Sequence, residues 1–194
     1  MSEGSKMPLK MAQVIGDRFM RYLEPFVSVM SIAGSVRREC EYCGDVEIVA
    51  LPKDEFSIVK AFPENYPGLV MNGERLKRFK YPKLNIQIEL YLPQSSDYGR
   101  IFAIRTGNSV YARLCLMTQA NRLGWIGTHD GLRRKKECEK KGEVWKIKPE
   151  YKLDPTKPPE FPDEESFFEF IQISWVHPRE RSWISNKSEY NYST

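Results

Sequence analysis

The sequence predicts an α+β fold, a mixed β-sheet flanked by helices and followed by a smaller α/β lobe. Three observations carry that prediction. In LNIQIELYLP the apolar residues Ile86, Ile88, Leu90 and Leu92 alternate with Asn85, Gln87, Glu89 and Tyr91, the period of a strand with one apolar and one polar face. In PLKMAQVIGDRFMRYLEPF, Met11, Val14, Ile15, Phe19 and Leu23 recur at helical spacing between Pro8 and Pro25. A βα-rich first half then gives way near residue 95 to a smaller second half of mixed signals. The expected organisation is residues 1–95, a second lobe at 96–184 and a tail at 185–194.

The elements follow in order. After the first helix, FVSVMSIAG reads as a short strand that runs into Gly34 and Ser35, and SVRRECEY forms one or two helical turns. DVEIVALP is a strand closed by Pro52, and KDEFSIVKAFPENYPGLVMNG reads as loop. A basic strand, RLKRFKYP, precedes the alternating strand, whose polar face should carry Glu89 toward solvent. SDYGRIFAIRTGNSVYARLCLMTQANRLGW reads as two helices separated at Thr106 and Gly107, the second ending near Gly124. His129, Asp130 and Gly131 signal a hairpin, and a charged turn leads to a second strand pair around residues 144–147. DEESFFEFIQISW is a short helix with acids in its first turn.

With 194 residues the chain is long enough to bury a real core. No run approaches the roughly 18 apolar residues of a membrane span, and MSEGSKMPLK lacks the apolar core of a secretory signal, so a cytoplasmic protein with no membrane partner is expected. The formal charge is only +4, but basic residues cluster at 75–83, 133–141 and 179–183. Such clusters attract phosphate backbones by counterion release, although many are simply solvated surface. Cys40 and Cys43 have C-x-x-C spacing, yet only His129 and His177 are at hand to complete a zinc site, so all four cysteines are expected as reduced thiols.

The chemistry concentrates in GSVRRECEYCGDVEIV. Period-two geometry puts Asp45 and Glu47 on one face of a strand, about 7 Å apart, with Val46 and Ile48 pointing into the core. Two carboxylates so placed repel unless a cation lies between them, and Mg²⁺ favours a few carboxylate oxygens plus phosphate. An isolated D-x-E is ordinarily the wet side of an edge strand. Here Gly34 and Ser35 stand between a strand and a helix start, where glycine lets backbone amides approach an anion and serine adds a donor. Arg37 and Arg38 supply guanidinium forks for a triphosphate.

Taken together, Gly34 and Ser35, the paired arginines and Asp45, Val46, Glu47 resemble the signature of the DNA polymerase beta type nucleotidyltransferases, in a short stand-alone form. Glu89 in IELYLP matches the third carboxylate of that family, Thr106 and Gly107 match its turn between two helices, and EESFFEFIQISWVHPRERS is similar to its terminal segment. The resemblance spans about residues 30–183. It implies a palm in residues 1–95, a thumb-like lobe, and two Mg²⁺ or Mn²⁺ ions held by Asp45, Glu47 and Glu89 as catalytic and metal-binding residues. It further implies that Gly34, Ser35, Arg38, Gly44, Thr106 and Gly107 bind the nucleotide. The expected partners are a primer-template or gapped DNA duplex and deoxynucleoside triphosphates, acted on by a monomer. Two of the three acids are Glu where Asp is usual, and the aromatic pair usual before Thr-Gly is Ile104 and Arg105. Residues 1–30 supply one helix, too little for a lyase domain, so no lyase activity is expected and DNA must be gripped by basic residues. The candidates are Arg75, Lys77, Arg78, Lys80, Arg133, Arg134, Lys135 and Lys136. A nucleotidyltransferase with another acceptor and a weakly active nucleic-acid-binding relative are the competing readings. His129 reads first as a turn residue, and Trp125, Trp145 and Trp175 read first as core. Arg179 and Arg181 are divided between template contacts and pairing with nearby acids.

Overall fold

A computed structural model of the chain describes residues 6–81 and 86–182; Lys83, Asn85 and the tail expected at 185–194 lie outside them. A short β1 (Met7–Pro8) leads into α1 (Leu9–Leu23), and Pro25 precedes β2 (Val27–Ile32). One helical turn, α2 (Gly34–Arg37), and the two-residue β3 (Tyr42–Cys43) connect to β4 (Asp45–Pro52). The segment read as loop contains α3 (Ser57–Ala61) and β5 (Leu69–Asn72). β5 escaped detection because it is an edge strand held by main-chain pairing to its neighbour, and three of its four side chains are exposed. Two strands complete the sheet, β6 (Leu76–Tyr81) and β7 (Ile86–Tyr91).

The five strands lie in the order β2-β4-β7-β6-β5, with β4 and β7 parallel and the other neighbours antiparallel. The fold is therefore α+β, a mixed sheet flanked by helices. α1 covers one face, packing Ile15, Phe19 and Leu23 against Val46, Ile48, Ile88 and Leu90. Each such buried side chain contributes about 1.5–3 kcal/mol. The alternation within β7 is as expected, but its second face is not solvent-facing. Glu89 and Tyr91 are each only 6% exposed, because α4 (Tyr98–Thr106) closes over that face and packs Tyr98 against Val49, Tyr91 and Ala33.

α4 is followed by α5 (Ser109–Tyr111), which runs through a π-helical turn at Ala112–Met117 into α6 (Thr118–Arg122). The hairpin at His129 and Asp130 joins β8 (Trp125–Thr128) to β9 (Gly131–Arg134). The charged stretch expected as a turn is folded further, continuing into β10 (Cys138–Lys141), which pairs with β11 (Val144–Ile147). Last comes α7 (Glu164–Phe170), whose N-cap Asp163 accepts from the Ser166 amide at 2.8 Å. A second core joins Tyr111, Leu116, Trp125, Phe161, Phe167 and Phe168. α7 approaches α4 at Gly99, where an added Cβ would lie 1.7 Å from the Asp163 carbonyl oxygen. No helix among the described residues is long and apolar enough to cross a membrane.

Candidate functional site

The parallel pairing of β4 and β7 sets Glu47 opposite Glu89 and Asp45 opposite Gln87, all on the face that α4 covers. Neighbouring strands lie about 4.8 Å apart, so three carboxylates share one small patch. The Gly34 turn closes one side of it. Gly34 has φ of +61°, and an added Cβ would stand 2.1 Å from Glu47 Oε2. A glycine is required there twice, for its left-handed backbone and for the room that Glu47 occupies.

This crowding shapes the charges. Burial, reinforced by Glu89, raises the Asp45 carboxyl above its usual range against the opposing pull of Arg38 and Arg78. Glu47 is pushed up to about 7, first by burial and then by Asp45, with Arg105, Glu89 and Arg38 as smaller influences of both signs. Glu89 is held differently. Its Oε1 accepts from Arg78 Nε and Gln87 Nε2, both at 2.8 Å, Arg78 Nη2 lies 2.7 Å away, and the Tyr91 hydroxyl donates to Oε2. Burial drives the Tyr91 hydroxyl well above its normal pKa, so it remains a donor. Among the described residues no three His, Cys, Asp or Glu side chains are arranged to hold an ion. Asp45 and Glu47 fit a hard divalent cation in donor type and in their mutual repulsion, which the nearby arginines only partly offset. Glu89 is engaged by Arg78 and joins them only if that pair opens.

The expected phosphate residues are drawn together, with one correction. The Ser35 hydroxyl is buried without an oxygen or nitrogen partner and lies against the Cys43 thiol. Arg38 Nη1 donates to the Thr106 carbonyl at 2.7 Å and leaves a buried Nε without a partner. Gly44 sits exposed, with open space around its Cα. Thr106 and Gly107 are buried at the end of α4. Arg37 is not available to a triphosphate. Its fork clamps Glu164 at 2.6 and 2.8 Å, donates to Thr106 Oγ1 at 2.7 Å, and lies 3.8 Å over the Phe102 ring. Arg181, fully buried, takes the same carboxylate at 2.6 and 3.2 Å, and Arg179 pairs with Glu39. Both late arginines thus pair with acids.

The basic strand divides by its period. Lys77 points to the α1 side, is 7% exposed and donates to Asn72 and the Gly73 carbonyl, and burial lowers its pKa. Neither Lys77 nor the Glu89-bound Arg78 is presented to DNA. Lys80 is exposed, and Arg75 lines a cleft. In the second run Arg133 reaches the Thr156 carbonyl at 3.4 Å and Arg134 stacks 4.1 Å over Trp125, while Lys135 and Lys136 are exposed. Trp125 is core as expected, but Trp145 is only half-buried and Trp175 is 41% exposed. His129 is the expected turn residue, and all four cysteines are free thiols. Gln87, Tyr91, Arg105, Glu164 and Arg181 were missed as site residues. The alternation that placed Glu89 carries Gln87 and Tyr91 on the same face, whereas no local signal marks the Glu164 network.

No family model and no curated protein matches this chain.

The acids make a prediction on pH. Glu47 folds with a pKa raised from 4.5 to about 7, so the folded protein binds more protons than the unfolded chain between those values, and stability falls as pH rises through that window. In chelated buffer, Glu47→Gln should melt like the wild type near pH 4.5 and progressively above it toward pH 8. A variant that melts below the wild type at pH 8 would show that the ionised carboxylate is favourably held.

Proposed function

We propose that the chain is a DNA polymerase beta type nucleotidyltransferase that adds deoxynucleotides to a primer 3′-hydroxyl, as in filling short gaps. In this reading the five-stranded sheet is the palm and residues 96–184 are the thumb-like lobe. The observation that carries it is the Gly34 turn seated against Glu47, with Glu89 in register on the adjacent parallel strand. Two Mg²⁺ or Mn²⁺ ions at Asp45, Glu47 and Glu89 would acidify the 3′-hydroxyl and neutralise the departing pyrophosphate. The 3′-oxygen bonds to the α-phosphorus as the bond to pyrophosphate breaks, and the hydroxyl proton leaves toward Glu89. The buried Ser35 hydroxyl and Arg38 bind the triphosphate, and the Thr106 turn, anchored by Arg37 and Arg38, flanks the sugar. Arg78 keeps Glu89 charge-balanced until substrate arrives.

A nucleotidyltransferase with a non-DNA acceptor is the second reading. It draws support from Lys77 and Arg78, which are engaged within the fold and leave fewer cations for a duplex. One assay separates the two. A one-nucleotide-gapped duplex, single deoxynucleoside triphosphates and Mg²⁺ or Mn²⁺ should yield extension that follows the template base. Asp45→Asn and Glu89→Gln should reduce that rate by about 10³-fold or more while remaining folded. No extension by folded wild-type protein with either metal sinks the polymerase reading.

A further inference from the structure

A cavity of about 220 Å³ opens at Tyr91, its lining made partly of apolar Leu76, Pro93 and Ile101 and partly of polar and charged side chains. Its walls come from three places: Arg75 and Tyr91 at the end of the sheet, Arg100 and Arg105 on α4, and Thr128 and His129 on the β8–β9 turn. Arg100 is neutralised by Asp97, with Nε to Oδ1 at 2.6 Å. Arg105 is not neutralised in this way. Its guanidinium stacks 4.0 Å over the Tyr91 ring and its charge acts on Glu47, but it makes no hydrogen bond or close ion pair among the described residues, and its Nε is shut off from solvent. Arg75 repeats the pattern with a second buried and unpartnered Nε, and its contact with Glu74 is a loose 3.6 Å one to a side chain that is 73% exposed. Glu74 also lies 3.8 Å from His129 at the rim.

Two half-buried guanidinium groups thus line one cavity, each with a buried Nε that lacks an acceptor. Stacking on Tyr91 fixes the plane of Arg105, so that its two terminal Nη groups can present a fork to an oxyanion. A tetrahedral anion with several acceptor oxygens can serve both forks at once. We infer that this cleft is a phosphate-binding site, in which Arg75 and Arg105 take a phosphate group of a nucleotide or of a nucleic-acid strand and His129 covers the mouth. Its lining contains none of Gly34, Ser35 or Arg38, although Arg105 also acts on Glu47, and binding there requires no chemistry, so it can be tested apart from the proposed reaction.

The test is titration calorimetry in chelator at low salt, with inorganic phosphate, a deoxynucleoside triphosphate and a ten-nucleotide single strand as probes. Wild type, Arg75→Ala, Arg105→Lys and, as a control that removes an exposed cation from α3, Lys60→Ala are compared. Arg105→Lys keeps the charge and loses the fork, which guards against misfolding from removing a cation near Glu47. Kd for phosphate should rise about tenfold in Arg75→Ala and Arg105→Lys but not in Lys60→Ala. If only the oligonucleotide weakens in parallel, the phosphate is that of a strand; if only the triphosphate does, it is that of a nucleotide. Folded Arg75→Ala and Arg105→Lys proteins that bind all three probes like the wild type would overturn it. Loss of probe binding in these variants alongside a wild type unable to extend a primer would leave the cleft standing and remove the polymerase reading; the opposite pair of results would do the reverse.

Discussion

A Glu164→Ala protein is expected to lose about 3–5 kcal/mol of unfolding free energy, the largest stability effect of any single substitution considered for this chain. Glu164 is 3% exposed and stands between two guanidinium forks, Arg37 on one side and the fully buried Arg181 on the other, with Trp175 Nε1 at 3.4 Å. Burial alone would push its carboxyl up, but hydrogen bonds from Arg37 and Arg181 outweigh that and hold it below its usual range. Removing the carboxylate leaves two cations, one without any access to water, facing each other across the gap. Because a domain's whole stability is about 5–15 kcal/mol, such a loss should be plain in urea denaturation. The cost belongs to the orphaned charges and not to lost packing volume. Converting Glu164 and Arg181 to Met together should therefore be milder than Glu164→Ala, since replacing a buried pair by apolar groups is often nearly neutral. A Glu164→Ala protein within about 1 kcal/mol of wild type would refute this account.

The second large effect concerns Gly34. A residue other than glycine at φ of +61° costs about 1–3 kcal/mol by itself, and alanine there places its Cβ 2.1 Å from Glu47 Oε2. Either the turn or the carboxylate must give way. On the proposed mechanism a displacement of about 1 Å in a catalytic group costs on the order of 10²-fold in rate. Gly34→Ala should thus melt several degrees lower and extend primers at about 1% of the wild-type rate. The clash is separable from the backbone strain. In a Glu47→Ala background the same substitution meets no carboxylate, so its melting penalty should shrink to the backbone part. An equal penalty in both backgrounds would show that contact with Glu47 is not the constraint.

The helix at 9–23, the strand at 45–52 and the alternation through Ile86, Ile88 and Leu90 are patterns within one element, and each appears as expected. β5 was invisible because its side chains face solvent and only its backbone is employed. Glu89 was placed on the correct face but given the wrong environment, since whether a polar face meets water depends on α4, far along the chain. The same holds for the arginines. Spacing located Arg37 and Arg38 beside the Gly34 turn, but their partners, Thr106 and Glu164, arrive from distant elements, and one of the two proved to be a structural strut. Lys77 and Arg78 are adjacent in a basic run that reads as a single surface patch; the strand period sends one into the core and the other onto a carboxylate.

The single parallel pair of the sheet has a kinetic side. Glu47 and Glu89 are separated by roughly forty residues, with α3 and the β5–β6 hairpin between them in the chain. Non-local pairing of that kind is slow compared with the antiparallel β6–β7 and β8–β9 pairs. The carboxylate patch is accordingly expected to assemble late, an order that pulsed amide exchange during refolding would check. During that interval Glu47 and Asp45 already stand together on β4, and Arg78 can meet Glu89 within its own hairpin before either strand reaches them. The ion pair is then a chaperone of sorts, carrying a charge into a buried position already neutralised.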